Sequence, residues 1–73
     1  MPAIQHSFTL KGGQFALASL IAEREEDGSL CIRIVSIKDD TTKEDIINLF
    51  SDSEKAGIIH DAFLENEDTL LAI

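Results

Sequence analysis

Two glycine-containing dipeptides, Gly12-Gly13 and Asp27-Gly28, limit how the segment between them can fold. Both are typical of two-residue β-hairpin loops, because glycine tolerates the positive φ that these turns require. If both form such loops, the intervening segment is the middle strand of a three-stranded antiparallel meander. The alternative is a helix over residues 14–27, since its alanines, leucines and glutamates favour helix and Gly28 then follows the last helical residue.

The hydrophobic pattern supports the strand interpretation. With two-residue loops, Ile4 lies opposite Ile21, and Ile21 lies opposite Ile34. The resulting core face holds His6, Ser19 and a set of large apolar residues: Ile4, Phe8, Leu10, Phe15, Leu17, Ile21, Leu30, Ile32 and Ile34. Because two independent turn signals agree on one apolar face, we prefer the meander to the helix. The predicted strands cover about residues 3–11, 14–24 and 29–38.

The second half of the chain predicts two short helices. Thr41 followed by Glu44 resembles a capping box, and the apolar stripe after it predicts a helix over about 42–50. The segment Ser51 to Ser53 then interrupts this helix and supplies an N-cap for a second helix over about 53–65. The apolar tail could dock as a short edge strand through Leu70, Leu71 and Ile73. The sequence thus predicts a single α+β domain whose helices pack on one face of the sheet.

The charge of this 73-residue chain is strongly negative, −8 from 14 acidic and 6 basic residues. Direct binding to nucleic acid or anionic membrane is not expected, because both begin with Lys and Arg at phosphates. The N-terminus has no basic region before an apolar run, and no apolar stretch approaches about 20 residues, so we expect neither a signal peptide nor a membrane span. With Cys31 as the sole cysteine, we expect a reducing, cytoplasmic location.

Few residues suggest catalysis or metal binding. Cys31 needs a neighbouring base to act as a nucleophile, and in the predicted register it lies on the face opposite His6. His60 and Asp61 are successive helix residues, which do not face each other. One Cys and two separate His do not predict a zinc site, and residues 39–51 lack the glycine and closing glutamate of an EF-hand loop. The sequence therefore predicts a non-enzymatic protein without a metal or other cofactor.

Acidity and small size instead predict a binding protein, a regulator or inhibitor that docks on a larger basic protein. Charge complementarity would speed association and make it salt-sensitive. In size and charge alone, the chain is similar to small acidic phage proteins that mimic nucleic acid and inhibit defence nucleases. The alternative that stays open is that the acidity only provides solubility. The candidate partner-binding carboxylates are Glu23, Glu25, Glu26, Asp27, Asp52, Glu54, Asp61, Glu65, Glu67 and Asp68.

A second hypothesis is a homodimer or other assembly module that uses the second face of the sheet. In the predicted register this face is polar along the first strand and apolar along the other two. Exposed apolar patches often mark interfaces, and a partner subunit would support a core as small as this one. The predicted contact residues are Leu20, Val35 and Ile37.

Overall fold

The fold is given by a computed structural model that describes residues 3–72. Its elements are three strands, a 3₁₀ turn and two helices: β1 (Ala3–Thr9), β2 (Phe15–Arg24), β3 (Leu30–Asp39), the 3₁₀ turn (Ile47–Leu49), α1 (Asp52–Glu65) and α2 (Glu67–Leu71). The strands form one antiparallel sheet in the order β1-β2-β3. The predicted α+β fold with a three-stranded meander is therefore confirmed, and the helical alternative for residues 14–27 is wrong.

Both hairpin loops contain three residues rather than the predicted two. In the first, the Gly13 N–H donates to the carbonyl of Leu10 at 2.9 Å, and the Leu10 N–H donates to the carbonyl of Gln14 at 2.7 Å. The second loop has the same pair of bonds and ends at Gly28. The φ angles of Gly13 and Gly28 are 84° and 89°, which is what a three-residue loop needs at its last position. Gly-Gly and Asp-Gly pairs suit either loop length.

The extra loop residues reverse the two faces of β2. Ile4 lies opposite Leu20 rather than opposite Ile21, and Leu20 lies opposite Ile34. A shift of one residue moves every side chain of a strand to the other face. The predicted register, which put Ile21 in the core, is therefore wrong. The face of β2 that is buried under the helices carries Ala16, Ala18, Leu20 and Ala22.

A β-bulge at Val35 reverses the two faces of β3 in the part of the strand that follows it. The pairing partner of Ser19 is Ser36, and that of the next residue in β2 is Ile34, so Val35 is an extra residue on β3. A bulge of this kind places two residues opposite one and shifts the alternation beyond it. Ile37 consequently faces the helices and is fully buried, whereas the predicted register puts it on the opposite face.

The segment between β3 and α1 does not form the helix predicted over about 42–50. The Asp39 carboxylate accepts hydrogen bonds from the N–H groups of Thr41 at 2.7 Å and Thr42 at 3.2 Å. Lys43 has a φ of 63°, which a right-handed helix does not contain. Short polar side chains that bond to nearby backbone compete with helix formation in this way. The segment therefore contains only the 3₁₀ turn given above.

The second predicted helix forms as α1. Ser51 is its N-cap, because Ser51 Oγ accepts from the Glu54 N–H at 3.2 Å and the Ser51 N–H donates to the Glu54 carboxylate at 3.0 Å. These reciprocal bonds are a capping box. Gly57 lies inside the helix, and no neighbouring element comes within 4 Å of the position that a Cβ would take. Packing within the described residues therefore does not require glycine there.

The C-terminal segment is the short helix α2 rather than the predicted edge strand. Leu70 is fully buried, whereas Leu71 is 57% exposed. Successive residues of a helix do not share a face, so one leucine enters the core and the next does not. Ile73, the last residue of the predicted strand, lies outside the described residues.

Helices α1 and α2 pack on one face of the sheet. The sequence predicts this placement for helices over about 42–50 and 53–65, and of these only the second forms, as α1. The buried core joins the alanines of β2 to Ile58 and Ala62 of α1 and to Leu70 of α2. Small side chains on both sides allow helix and sheet to pack closely. The core also holds one polar residue, His6, which is 5% exposed. The opposite face of the sheet has no covering element among the described residues.

Candidate protein-interaction surfaces

The ten candidate carboxylates divide into two groups. Four are bonded within the chain: Glu23, Asp27, Glu54 and Glu65. The side chains of the other six are exposed and make no hydrogen bond or ion pair within residues 3–72: Glu25, Glu26, Asp52, Asp61, Glu67 and Asp68. The acidic surface available to a partner is thus smaller than the predicted set.

Two of the bonded carboxylates fix local structure. The Asp27 carboxylate accepts from Ser29 Oγ at 2.7 Å and from the Ser29 N–H at 2.9 Å, and these bonds hold the pKa of Asp27 below its ordinary value. The pKa of Glu54 is lowered in the same way, first by the hydrogen bond from the Ser51 backbone. Both carboxylates are ionised at neutral pH, and their bonds stabilise a turn and a helix start.

Glu65 connects α1 to β1 and sets the direction of the helix. Its carboxylate accepts a hydrogen bond from Nδ1 of the buried His6 at 2.9 Å. Near the other end of α1, Glu54 lines a shallow groove together with Lys11 of the first hairpin loop. Helix α1 therefore begins beside the β1–β2 loop and ends at the level of His6, in the middle of β1.

Five of the six free carboxylates belong to two segments of the chain. Glu25 and Glu26 belong to the β2–β3 loop region, whereas Asp61 lies just before the last turn of α1 and Glu67 and Asp68 begin α2. Asp52, at the start of α1, lies at the opposite end of that helix. We refer to Glu25, Glu26, Asp61, Glu67 and Asp68 as the acidic end.

The helix dipoles favour only part of the acidic end. Glu67 and Asp68 lie in the first turn of α2, where carboxylates interact favourably with the dipole. Asp61 lies just before the last turn of α1, which contains no basic residue. Negative charge near a helix C-terminus is unfavourable with the dipole by about 0.3–1 kcal/mol.

The sheet face away from the helices is open and partly apolar. Phe15 and Val35 are 59% and 52% exposed, and Leu17 and Ile21 on the same face are half-buried. We refer to these four residues as the open apolar face. The neighbouring strand β1 contributes small or polar residues to this side of the sheet: Ala3, Gln5, Ser7 and Thr9.

The predicted contact residues of this face need correction. Val35 lies on it, but Leu20 is 1% exposed and Ile37 is fully buried, both against the helices. The three-residue loops place Leu20 on the covered face, and the bulge does the same for Ile37. The predicted register assigns to the core three residues that lie on the open face: Phe15, Leu17 and Ile21. The sequence does signal the ambiguity, because both faces of β2 are apolar.

Charged residues lie at both ends of the open apolar face. Glu23 lies 3.3 Å from the guanidinium of Arg33 toward the β2–β3 loop. Lys38 is paired with Leu17 near the other end of the sheet. The free thiol of Cys31, opposite Glu23, is exposed. The apolar residues are thus flanked by the Glu23–Arg33 ion pair at one end and by Lys38 at the other.

The groups that could support catalysis are dispersed. His6 is buried on the covered face, Cys31 is exposed on the opposite face as predicted, and His60 is exposed on α1. Within residues 3–72, no three or more His, Cys, Asp or Glu side chains are grouped so that they could hold a metal ion. Neither helix in this range has the length and apolarity to cross a membrane.

Comparison with protein-family models, with curated proteins and with solved structures finds no match to this chain. What the protein does is therefore inferred from the acidic end and the open apolar face.

Proposed function

We propose that this chain is a small non-enzymatic regulator or inhibitor that binds a basic surface of a larger protein through its acidic end. The observation that carries the proposal is that the carboxylates of the acidic end have no cationic partner within residues 3–72. A partner that supplies Lys or Arg would replace mutual repulsion by attraction across the interface. A cytoplasmic location, in which Cys31 stays reduced, belongs to the same proposal.

The net charge of −8 bears on the rate of binding as well as on its strength. Complementary charge raises association rate constants from about 10⁵–10⁶ to about 10⁸–10⁹ M⁻¹s⁻¹ at low salt. Screening acts over about 10 Å at 0.1 M salt, so the association rate should fall steeply with ionic strength while dissociation changes little.

The first experiment is capture of partners from a lysate of the source cell on the immobilised chain at low salt, with elution by a salt gradient. The affinity of the purified partner is then measured for two charge-reversal variants, Glu25→Lys/Glu26→Lys on the loop and Glu67→Lys/Asp68→Lys on α2. The matched control is Asp40→Lys/Glu44→Lys, which changes the charge equally in the segment after β3.

We expect each acidic-end variant to weaken binding by roughly tenfold or more, and the control by less than about threefold. Equal losses in all three variants would mean that only total charge matters. Unchanged binding in both acidic-end variants would remove the acidic end as the site.

Mimicry of nucleic acid is the finer form of this proposal. It adds that the partner is a nucleic-acid enzyme, such as a defence nuclease, and that the carboxylates occupy its phosphate sites. A short DNA duplex should then compete with the chain for the partner in a fluorescence anisotropy titration. Simultaneous binding of duplex and chain would exclude mimicry and leave the acidic-binder proposal intact.

A further inference from the structure

We propose that the outer edge of β1 binds an extended, basic segment of a partner protein, which joins the sheet as a fourth strand. In the sheet, β1 is paired with β2 on one side only. Along its other side, no strand, loop or side chain within residues 3–72 is hydrogen-bonded to its backbone. An edge with free backbone groups is a template for pairing with another chain. This surface is separate from the acidic end, and the proposal does not rest on it.

The direction of the free backbone groups follows from the first hairpin loop. Leu10 donates its N–H to the carbonyl of Gln14 and accepts from the N–H of Gly13, so both of its backbone groups point toward β2. In an antiparallel strand, this direction alternates from one residue to the next. The residues of β1 whose N–H and C=O groups point away from β2 are therefore Ala3, Gln5, Ser7 and Thr9. Donors and acceptors repeated at every second residue match the backbone of another extended chain.

The opposite edge of the sheet is protected, whereas the edge of β1 is not. The segment after β3 folds back on it, because the Ile46 N–H donates to the carbonyl of Ile37 at 2.6 Å and the Asp39 N–H donates to the carbonyl of Glu44 at 3.0 Å. The bulge at Val35 also interrupts β3. Covering segments, bulges, prolines and charged residues are the usual means of preventing edge pairing. The strand Ala3–Thr9 contains no bulge, proline, Asp, Glu, Lys or Arg.

A groove at one end of β1 offers a place for an apolar side chain of the added strand. It lies between the end of β1 and the segment that contains the 3₁₀ turn, and its apolar lining residues are Phe8, Leu10, Ile46, Leu49 and Phe50. Leu49 is 77% exposed. Thr9, whose backbone faces the outer edge, also lines the groove, so the groove opens onto that edge. Alternate side chains of an added strand would lie on this side of the sheet.

Charge favours a basic segment over a second copy of this chain as the added strand. Each copy carries −8, so two copies repel each other, whereas a basic segment is attracted. The charged side chains located beside this side of β1 are Lys11 and Glu54 at the groove and Glu65 at His6, and +1, −1 and −1 sum to −1. The added strand should therefore combine an apolar side chain with Lys or Arg.

The probe is a short fluorescein-labelled peptide with threonine at every odd position and lysine, phenylalanine and lysine between the threonines. Threonine favours the extended conformation, and the other three side chains share one face. The full chain is titrated into the peptide up to about 1 mM, and binding is followed by fluorescence anisotropy. We expect a Kd of roughly 10–300 µM, because a short flexible strand loses conformational freedom on binding. The same peptide with N-methyl groups on its inner threonines cannot donate to β1 and should bind at least roughly tenfold more weakly.

Two variants at one position test the edge from the side of the protein. Ser7→Pro removes an outward N–H and leaves the bonds between β1 and β2 in place, since an edge strand tolerates proline at such a position. It should weaken peptide binding at least roughly tenfold, whereas Ser7→Val, which keeps the N–H, should stay within about threefold. Far-UV circular dichroism confirms that both variants are folded, and the N-methylated peptide makes the same test on the unmodified chain.

Charge variants separate this edge from the acidic end. Replacing both lysines of the peptide by glutamate should weaken binding roughly tenfold, whereas Glu67→Lys/Asp68→Lys in the protein should leave binding within about threefold. No binding up to about 1 mM, equal binding of the N-methylated peptide, or a large loss in Glu67→Lys/Asp68→Lys overturns the proposal. A dimer in sedimentation equilibrium that Ser7→Pro disrupts and Ser7→Val does not would assign the edge to a second copy and overturn the basic segment.

Discussion

The register of β2 can be tested with two identical substitutions on the same strand, Leu20→Ala and Leu17→Ala. Leu20 is 1% exposed and faces the helices, whereas Leu17 is half-buried on the open side. Removing a fully buried leucine costs about 2–5 kcal/mol, because apolar contacts are lost and a cavity remains. Removing a half-buried leucine costs about 1 kcal/mol. With two-residue loops this order would be inverted.

The expected difference is large for a domain of this size. At about 0.05–0.15 kcal/mol per residue, the free energy of unfolding of 73 residues is roughly 4–11 kcal/mol. A loss of about 3 kcal/mol in Leu20→Ala lowers Tm by about 12–24 °C, and a loss of about 1 kcal/mol in Leu17→Ala lowers it by about 4–8 °C. The chain has no Trp or Tyr, so thermal unfolding is best followed by far-UV circular dichroism or calorimetry.

The two variants should be compared at about 5 µM and again at about 500 µM protein. If the open apolar face is a dimer interface, the cost of Leu17→Ala rises with concentration, because dimerisation adds to the stability of the unmodified chain only. The cost of Leu20→Ala should not change in this way. A larger Tm decrease for Leu17→Ala than for Leu20→Ala at the lower concentration would refute the three-residue loops.

Three further predictions concern α1 and its ends. Gly57→Ala should raise the free energy of unfolding by about 1 kcal/mol, since alanine is the better helix former and no neighbouring element crowds the site, and urea unfolding would show this as a higher midpoint. Ser51→Ala should lower it by about 0.5–2 kcal/mol, because the bond from the Glu54 N–H to Ser51 Oγ is lost, whereas Ser53→Ala nearby should change it little. The pKa of Glu54 is lowered by folding, so its stabilising contribution is present above its ordinary value of 4.5 and is lost as pH falls through the folded pKa. The difference in Tm between the unmodified chain and Glu54→Gln, which cannot ionise, should therefore shrink between about pH 5 and pH 3, and a constant difference would contradict this assignment.

The sequence is sufficient to predict the order of the strands and the presence of α1, because both depend on signals within short segments of the chain. Each hairpin loop contains glycine, and Ser51 begins a capping box that needs no tertiary contact. The segment 42–50 was predicted wrongly because Asp39 captures the N–H groups that a helix start would have used. The sequence shows that Asp39 can do this, but not that it does so in preference to the cap predicted at Thr41.

Which face of each strand is buried could not be predicted from the sequence. It depends on whether each hairpin loop has two or three residues and on one bulge. Both faces of β2 are apolar, and the larger side chains belong to the set that stays outside. The buried set is small because α1 contributes Ala62 to the same core, and alanines on the strand give the helix room to pack. Strand propensity and hydrophobic alternation predict that the larger side chains of β2 are buried. Packing of the helix on the sheet instead buries the alanines.

The acidic end and the open apolar face lie on different parts of the molecule, and this has a consequence for binding. A homodimer through the open apolar face, the second hypothesis from the sequence, would present the acidic end twice. Binding to a partner immobilised at high density would then gain from two simultaneous contacts, by about 10²–10⁴ in apparent affinity. Binding to a dilute partner in solution would not. Phe15→Lys/Val35→Lys should therefore weaken retention on the dense surface and leave the solution affinity unchanged, whereas Glu67→Lys/Asp68→Lys should weaken both. Equal effects of the face variant in the two formats would mean that the partner contacts the sheet face itself.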